Sequence, residues 1–151
     1  MSLIGQSVTV IGAGVAGLAV ARALSLRGAS VTVLEQADAI REVGAGLQIS
    51  PNGVAVLRAL GLQKALEAAA TRAEAVALID GPTGEGVTRL DLARLRPAQG
   101  YHFLHRADLI ALLRAGATEA GVSLRLLSRI ADVDLGGTVP AVVLDGGERL
   151  E

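Results

Sequence analysis

Gly12, Gly14 and Gly17 stand at the spacing G-x-G-x-x-G, and Glu35 follows Gly17 by 18 residues. Each position has its own task. Gly12 permits a tight turn, Gly14 lets a pyrophosphate approach bare backbone, and Gly17 lets a following helix lie close on a sheet. The phosphates would sit at that helix's N-terminus, where unpaired N–H groups and the positive end of the macrodipole favour an anion. An acid roughly 20 residues further on accepts hydrogen bonds from an adenosine ribose and disfavours a 2′-phosphate, which makes Glu35 the candidate for that contact. The chemistry is dinucleotide binding. The bland alternative is a doubly wound domain whose glycine turn packs without a ligand.

A glycine motif counts only in its structural setting, because a glycine-rich chain yields chance matches. Here a β-branched run at 8–11 leads into the glycines, and a segment of Leu, Ala, Val and Arg at 15–27 follows with helical character. Gly28 falls where a helix end needs φ > 0, and a second buried run at 30–34 ends at Glu35. Strand, turn, helix and strand make a βαβ unit, the setting the motif requires.

The 151 residues suffice for one ordinary domain with a real core and are few for a two-domain enzyme. Half of them are apolar and the net charge is −1. The basic residues, all arginine but for Lys64, are scattered among acids, and Tyr101 and Phe103 are the only aromatics, which excludes a nucleic-acid interface. No cysteine is present, so there is no disulfide framework, thiolate nucleophile or cysteine-bound metal. His102 and His105 would need carboxylates to hold a metal, and they read as satisfied structural histidines. The apolar stretch at 8–21 has no preceding basic residue and carries the dinucleotide spacing, so it is not a signal peptide. No segment is apolar enough for a membrane span, and the expected compartment is the cytoplasm.

Further along, 36–50 reads as a loop with a second glycine pair, Gly44 and Gly46. Ser50 and Pro51 open a helix as N-cap and first turn, with Ala55, Leu57, Leu60 and Leu62 on its apolar face and Gly61 ending it. A short helix is expected at 63–71, and a strand, glycine-rich turn and strand at 75–92. Residues 74–100 are read as the beginning of a second, substrate-side sheet. A helix then runs from 105 to 120 with Leu109, Leu112 and Leu113 buried and Gly121 closing it. A buried strand at 122–127 and an antiparallel meander of pieces at 130–134, 139–144 and 149–151 complete the chain. The fold class is α/β. The chain halts inside a strand-like run, which reads as the N-terminal portion of a longer protein.

Three segments together resemble the flavin-dependent aromatic-ring hydroxylases, single-component FAD monooxygenases that include salicylate hydroxylase and para-hydroxybenzoate hydroxylase. The first is 12–35, where Ala21, Gly28, Val31 and Glu35 continue the glycine motif. The second is the run REVGAGLQISPN at 41–52, and the third is HRADL at 105–109. The resemblance implies a Rossmann-like FAD-binding βαβ domain spanning 1–151. It implies that Gly12, Gly14 and Ala16 line the pyrophosphate and that Glu35 holds the adenosine ribose, with Gly17 and Gln36 also among the cofactor-binding residues. By the same analogy Gly46 and Leu47 lie near the flavin side, Arg106 reaches FAD as a fixed cation, and backbone near Leu127 borders the adenine. The implied activity is hydroxylation of a small aromatic substrate with NAD(P)H as reductant and FAD carrying the chemistry. Two later family motifs, an Asp-Gly segment after the meander and a Gly-Asp-Ala segment, are absent, so this chain alone is expected to hold half a site. No residue here reads as a catalytic base. A flavin reductase or oxidase of the same fold, or a truncated chain without catalysis, is the competing expectation.

Overall fold

The computed structural model describes residues 2–40 and 45–151, so residues 41–44, which open the second resemblance segment, lie outside the described residues. In chain order the elements are β1 (Ser7–Ile11), α1 (Val15–Ser25), β2 (Ser30–Leu34), β3 (Gly46–Ile49), α2 (Pro51–Ala59), α3 (Gln63–Ala69), β4 (Thr71–Arg72) and β5 (Ala75–Ile79). They continue with β6 (Gly86–Asp91), α4 (Leu92–Leu95), β7 (His102–His105), α5 (Arg106–Glu119), β8 (Ser123–Arg125), β9 (Ile130–Asp134), β10 (Ala141–Leu144) and β11 (Arg149–Leu150). The chain forms two units, Met1–Glu42 with Leu113–Glu151, and Val43–Leu112.

In the first unit the expected βαβ motif is present. β1 and β2 run parallel, from Ser7 opposite Ser30 to Ile11 opposite Leu34, and β8 pairs with β2, also parallel. The order β1-β2-β8 puts β2 in the middle, which explains why Val31, Val33 and Leu34 are buried while Ile11 at the end of β1 is half exposed. Leu18 and Ala21 of α1 are buried, and the helix packs on β1 and β2. The helix stops at Ser25, short of the expected 27, because Gly28 at φ 95° reverses the chain into β2. Arg22 is buried in α1 and its guanidinium donates to the Gly116 carbonyl and to Glu119 of α5, while the Ser25 hydroxyl donates to the Ala120 carbonyl.

The meander is also as expected, with β10 between antiparallel neighbours β9 and β11. Leu34, Val142 and Leu144 form one buried cluster with Ile130 and Leu150 against it, joining the parallel sheet to the meander. The strand expected at 122–127 is only Ser123–Arg125. Leu127 adopts φ 53°, a left-handed conformation that no strand residue takes.

The second unit departs further from the sequence reading. The expected loop at 36–50 contains a strand, β3, and the segment before α5 is another, β7; they pair antiparallel with Gly46 opposite His105 and Ile49 opposite His102. β4 adds to the other side of β7, with Thr71 opposite Phe103. β3 (GLQI) and β7 (HFLH) have four residues each, too few for an alternation that could be recognised alone. Val54, Leu57, Leu60, Leu62 and Leu66 supply the buried side of α2 and α3, whereas Ala55, expected on that face, is exposed. Ser50 holds the N-cap position of α2, but its hydroxyl donates to the Asn52 side chain instead of capping the helix. β5 and β6 form a separate antiparallel hairpin, followed by α4, whose N-cap Asp91 accepts from the Arg94 N–H at 2.9 Å. Among the described residues no helix is long and apolar enough to cross a membrane.

Candidate nucleotide site

β1 and β2 end side by side, and the Gly12 N–H donates to the Leu34 carbonyl at 2.7 Å. The chain therefore leaves β1 into the glycine turn at the point where Glu35 leaves β2. Gly12 sits at φ 95°, which a side chain tolerates poorly, and so makes the turn. At Gly17 an added Cβ would lie 1.9 Å from the Gly12 carbonyl oxygen, so the helix rests directly on the turn and only glycine fits. At Gly14 an added Cβ would meet nothing within 4 Å. That space is what a ligand needs.

Gly14 is the N-cap of α1, without a side-chain hydrogen bond to the helix, and the first turn holds no acid. The helix end thus keeps its positive character, with Ala16 exposed in the first turn. Glu35 stands across from it. Its Oε2 accepts from the Ala13 N–H at 2.8 Å and its Oε1 from the Ala37 N–H at 3.0 Å. These backbone donors, Ala13 first and then Ala37, hold the Glu35 carboxyl below the usual carboxylate range, against a smaller opposing effect of burial. The group is therefore ionised at neutral pH. Each oxygen keeps a lone pair, since a carboxylate has about four acceptor sites.

A cavity of about 240 Å³ opens here, lined by Ile11, Gly12, Leu34, Glu35, Gln36, Ser128 and Ile130. The structure thus brings Gly12, Glu35 and Gln36 around one space. Leu127 is placed near it by backbone only: its N–H donates to the Ala37 carbonyl at 3.1 Å, and its side chain is 75% exposed. The wall on that side is Ser128, which the sequence reading missed; it is buried, its N–H donates to the Glu35 carbonyl at 2.8 Å and its hydroxyl bonds the Leu126 carbonyl. Ala13 was missed as well. It acts through its N–H, and a residue that contributes only backbone leaves no mark in side-chain type.

An open helix end, free space at Gly14 and a carboxylate with spare acceptor sites fit the adenosine diphosphate half of FAD. The remaining candidates, Gly46, Leu47 and Arg106, belong to the second unit, where the fold gathers them: Gly46 pairs with His105, and the Arg106 N–H at the start of α5 donates to the Ala45 carbonyl at 3.3 Å. Gly46 and Leu47 line a cavity of about 400 Å³ with Gln48, Thr71, Phe103 and Asp108. Tyr101 donates to Gln48 at 2.6 Å and meets Phe103 edge to face, so both aromatic side chains belong to this region. The two histidines are not alike. His105 is exposed, and His102 is buried with its Nδ1 unpartnered, contrary to the expectation that both are satisfied. Among the described residues no group of His, Cys, Asp and Glu could hold a metal.

Comparison with known proteins extends the likeness from the turn to nearly the whole chain. The 3-amino-4-hydroxybenzoate 2-monooxygenase of Streptomyces cremeus is 44% identical over 121 residues, covering 76% of this chain and 31% of that protein. The 3-hydroxybenzoate 6-hydroxylase of Polaromonas naphthalenivorans (strain CJ2) is 39% identical over 117 residues, covering 76% of this chain and 29% of that one. Among solved structures, the tetrameric form of 2-methyl-3-hydroxypyridine-5-carboxylic acid oxygenase superposes with a TM-score of 0.85 at 25% identity, over 97% of this chain and 37% of that chain. Klebsiella pneumoniae HpxO, complexed with FAD and uric acid, gives 0.82 at 26% identity, over 96% and 36%. The chain spans about a third of the length of the curated relatives it matches. The family described as FAD binding domain matches residues 6–149, which takes in the glycine turn, Glu35 and the meander alike, and the chain belongs to that family.

Proposed function

We propose that this chain is the FAD-binding portion of a cytoplasmic, NAD(P)H-using monooxygenase that hydroxylates a small aromatic substrate. The observation that carries the reading is the pairing of Glu35 with the glycine turn: an ionised carboxylate with spare acceptor sites beside an uncapped helix end. The hydroxybenzoate relatives support the aromatic substrate class and disfavour a reductase or oxidase.

In this reading the N–H groups at the start of α1 hold the pyrophosphate, with Gly14 and Ala16 leaving room for it and Gly12 and Gly17 shaping the turn. Glu35 orients the adenosine by accepting from its ribose hydroxyls, and Gln36 and the backbone around Leu127 border the same end. Gly46, Leu47 and Arg106 are carried, by the family resemblance, to the flavin end, Arg106 as a cation. When bound, FAD supplies the redox chemistry, taking reducing equivalents from NAD(P)H and activating dioxygen. The hairpin β5–β6, a sheet of its own, is read as the beginning of the substrate-side sheet.

Titration with ADP by isothermal calorimetry tests the adenosine half directly. Hydrogen bonds to a charged group are worth about 1.5–3 kcal/mol, so Glu35→Ala should weaken ADP about 10- to 150-fold. No ADP binding by the parent chain, or equal affinity of the variant, removes this site from the reading.

A further inference from the structure

A second polar cavity lies within the Val43–Leu112 unit, away from Gly46 and Phe103. It has a volume of about 340 Å³ and is lined by Arg58, Gln63, Glu67, Arg72, Gly100 and His102, among others. Arg72 stands directly opposite His102 in the β4–β7 register, so the two side chains leave the same face of the sheet. Phe103 and His105, one and three residues further along β7, belong to the other, exposed face.

The charges around this cavity are unbalanced. Arg58 donates from Nε to the Gln63 side chain at 2.8 Å, and Arg72 donates to the Pro97 carbonyl at 2.6 Å. Neither guanidinium has a carboxylate partner among the described residues. Glu67 is occupied at one oxygen by the Gln63 amide at 2.7 Å. Two cations therefore face one anion.

His102 makes the site more than a pair of surface arginines. Its side chain is 6% exposed and its Nδ1 has no hydrogen-bond partner, an arrangement that folded proteins rarely leave in place. The ring is held from behind, since a Cβ at Gly100 would lie 2.5 Å from Nε2. Burial first, and the Arg72 charge second, push the imidazole toward its neutral form, while Glu67 opposes them weakly. An incoming anion would reverse the balance, because it offsets the charges of Arg58 and Arg72 beside the ring and favours the imidazolium.

We propose that this cavity binds a small organic oxyanion, a carboxylate or a phosphate monoester, held by Arg58 and Arg72 beside the His102 ring. Planar guanidinium groups suit both kinds of oxyanion. The volume falls at the lower end of the range of about 300–1,000 Å³ for small-molecule pockets, which calls for an anion carried on an organic group, not a bare ion.

The test is nuclear magnetic resonance of the two histidine rings in the full chain, without nucleotide, during titration with benzoate and, separately, phenyl phosphate. A saturable change at the His102 ring nitrogens with either probe is expected, with the His102 pKa rising on saturation and His105 unmoved. Whichever probe binds more tightly identifies the oxyanion. Arg72→Leu, at an exposed position, should weaken that response on the order of tenfold, with the amide spectrum unchanged elsewhere. No saturable His102 response to either probe at millimolar concentration, or a response undiminished in Arg72→Leu, overturns the proposal.

Discussion

Gly14 and Gly17 are three residues apart in one turn, and their surroundings predict opposite failures. Gly14→Val adds a side chain to open space, so the fold should persist while ADP binding is lost. Gly17→Ala drives a methyl into the Gly12 carbonyl, and overpacking of this kind costs about 1–3 kcal/mol. Thermal unfolding and ADP titration of the two variants separate these effects; a destabilised Gly14→Val would mean that the space beside it is filled by protein. Glu35 carries a pH signature. Its pKa is lowered from 4.5 by the Ala13 and Ala37 N–H groups, so its contribution to stability is complete above that value and is lost as pH falls through the lower folded-state pKa. The stability difference between the parent and Glu35→Gln, measured by urea unfolding, should be flat from pH 7 down to about 4.5 and shrink below it. A difference that stays constant into acid would show that the two hydrogen bonds do not favour the carboxylate.

At the scale of elements, α1 and α5 are tied by Arg22, whose buried guanidinium meets the Gly116 carbonyl and the mostly exposed Glu119. Glu119→Ala should cost no more than about 1 kcal/mol, because an exposed partner adds little. Arg22→Ala should cost about 1–3 kcal/mol, since it removes both the buried stem and a charged donor. Chemical denaturation of both variants checks the order, and equal losses would make the ion pair, not the carbonyl contact, the tie. These elements also show what a sequence discloses. The βαβ unit and the meander are legible because long β-branched runs and glycine punctuation carry them, and Gly28 at positive φ stands where the pattern demands. β3 and β7 are not, because four-residue strands that depend on each other for pairing have no local signature. The same holds at the site. Gly12, Gly17 and Glu35 announce themselves by type and spacing, whereas Ala13 and Ser128 are found only once the chain is folded around them.

At the scale of the whole molecule, the hairpin β5–β6 of the Val43–Leu112 unit is exposed along both strands. Val76 and Leu90 face each other across it and Leu78 follows on the same side, with exposures of 44%, 50% and 57%. An apolar hairpin face of this kind favours association. Sedimentation of the 151-residue chain should show concentration-dependent self-association that Leu78→Lys reduces, with no change in melting temperature. A parent chain that stays monomeric at high concentration would mean that this face is inert. Tyr101 gives the molecule a further property. It is the one tyrosine, there is no tryptophan, and its ring touches Phe103 while its hydroxyl is bound to Gln48. Intrinsic ultraviolet emission therefore originates from the Val43–Leu112 unit alone, whereas far-ultraviolet dichroism sums the backbone of both units. The chain carries its own optical label, and recording the two signals on one denaturation curve reveals, without any added dye, whether its two units melt as one cooperative body or in succession.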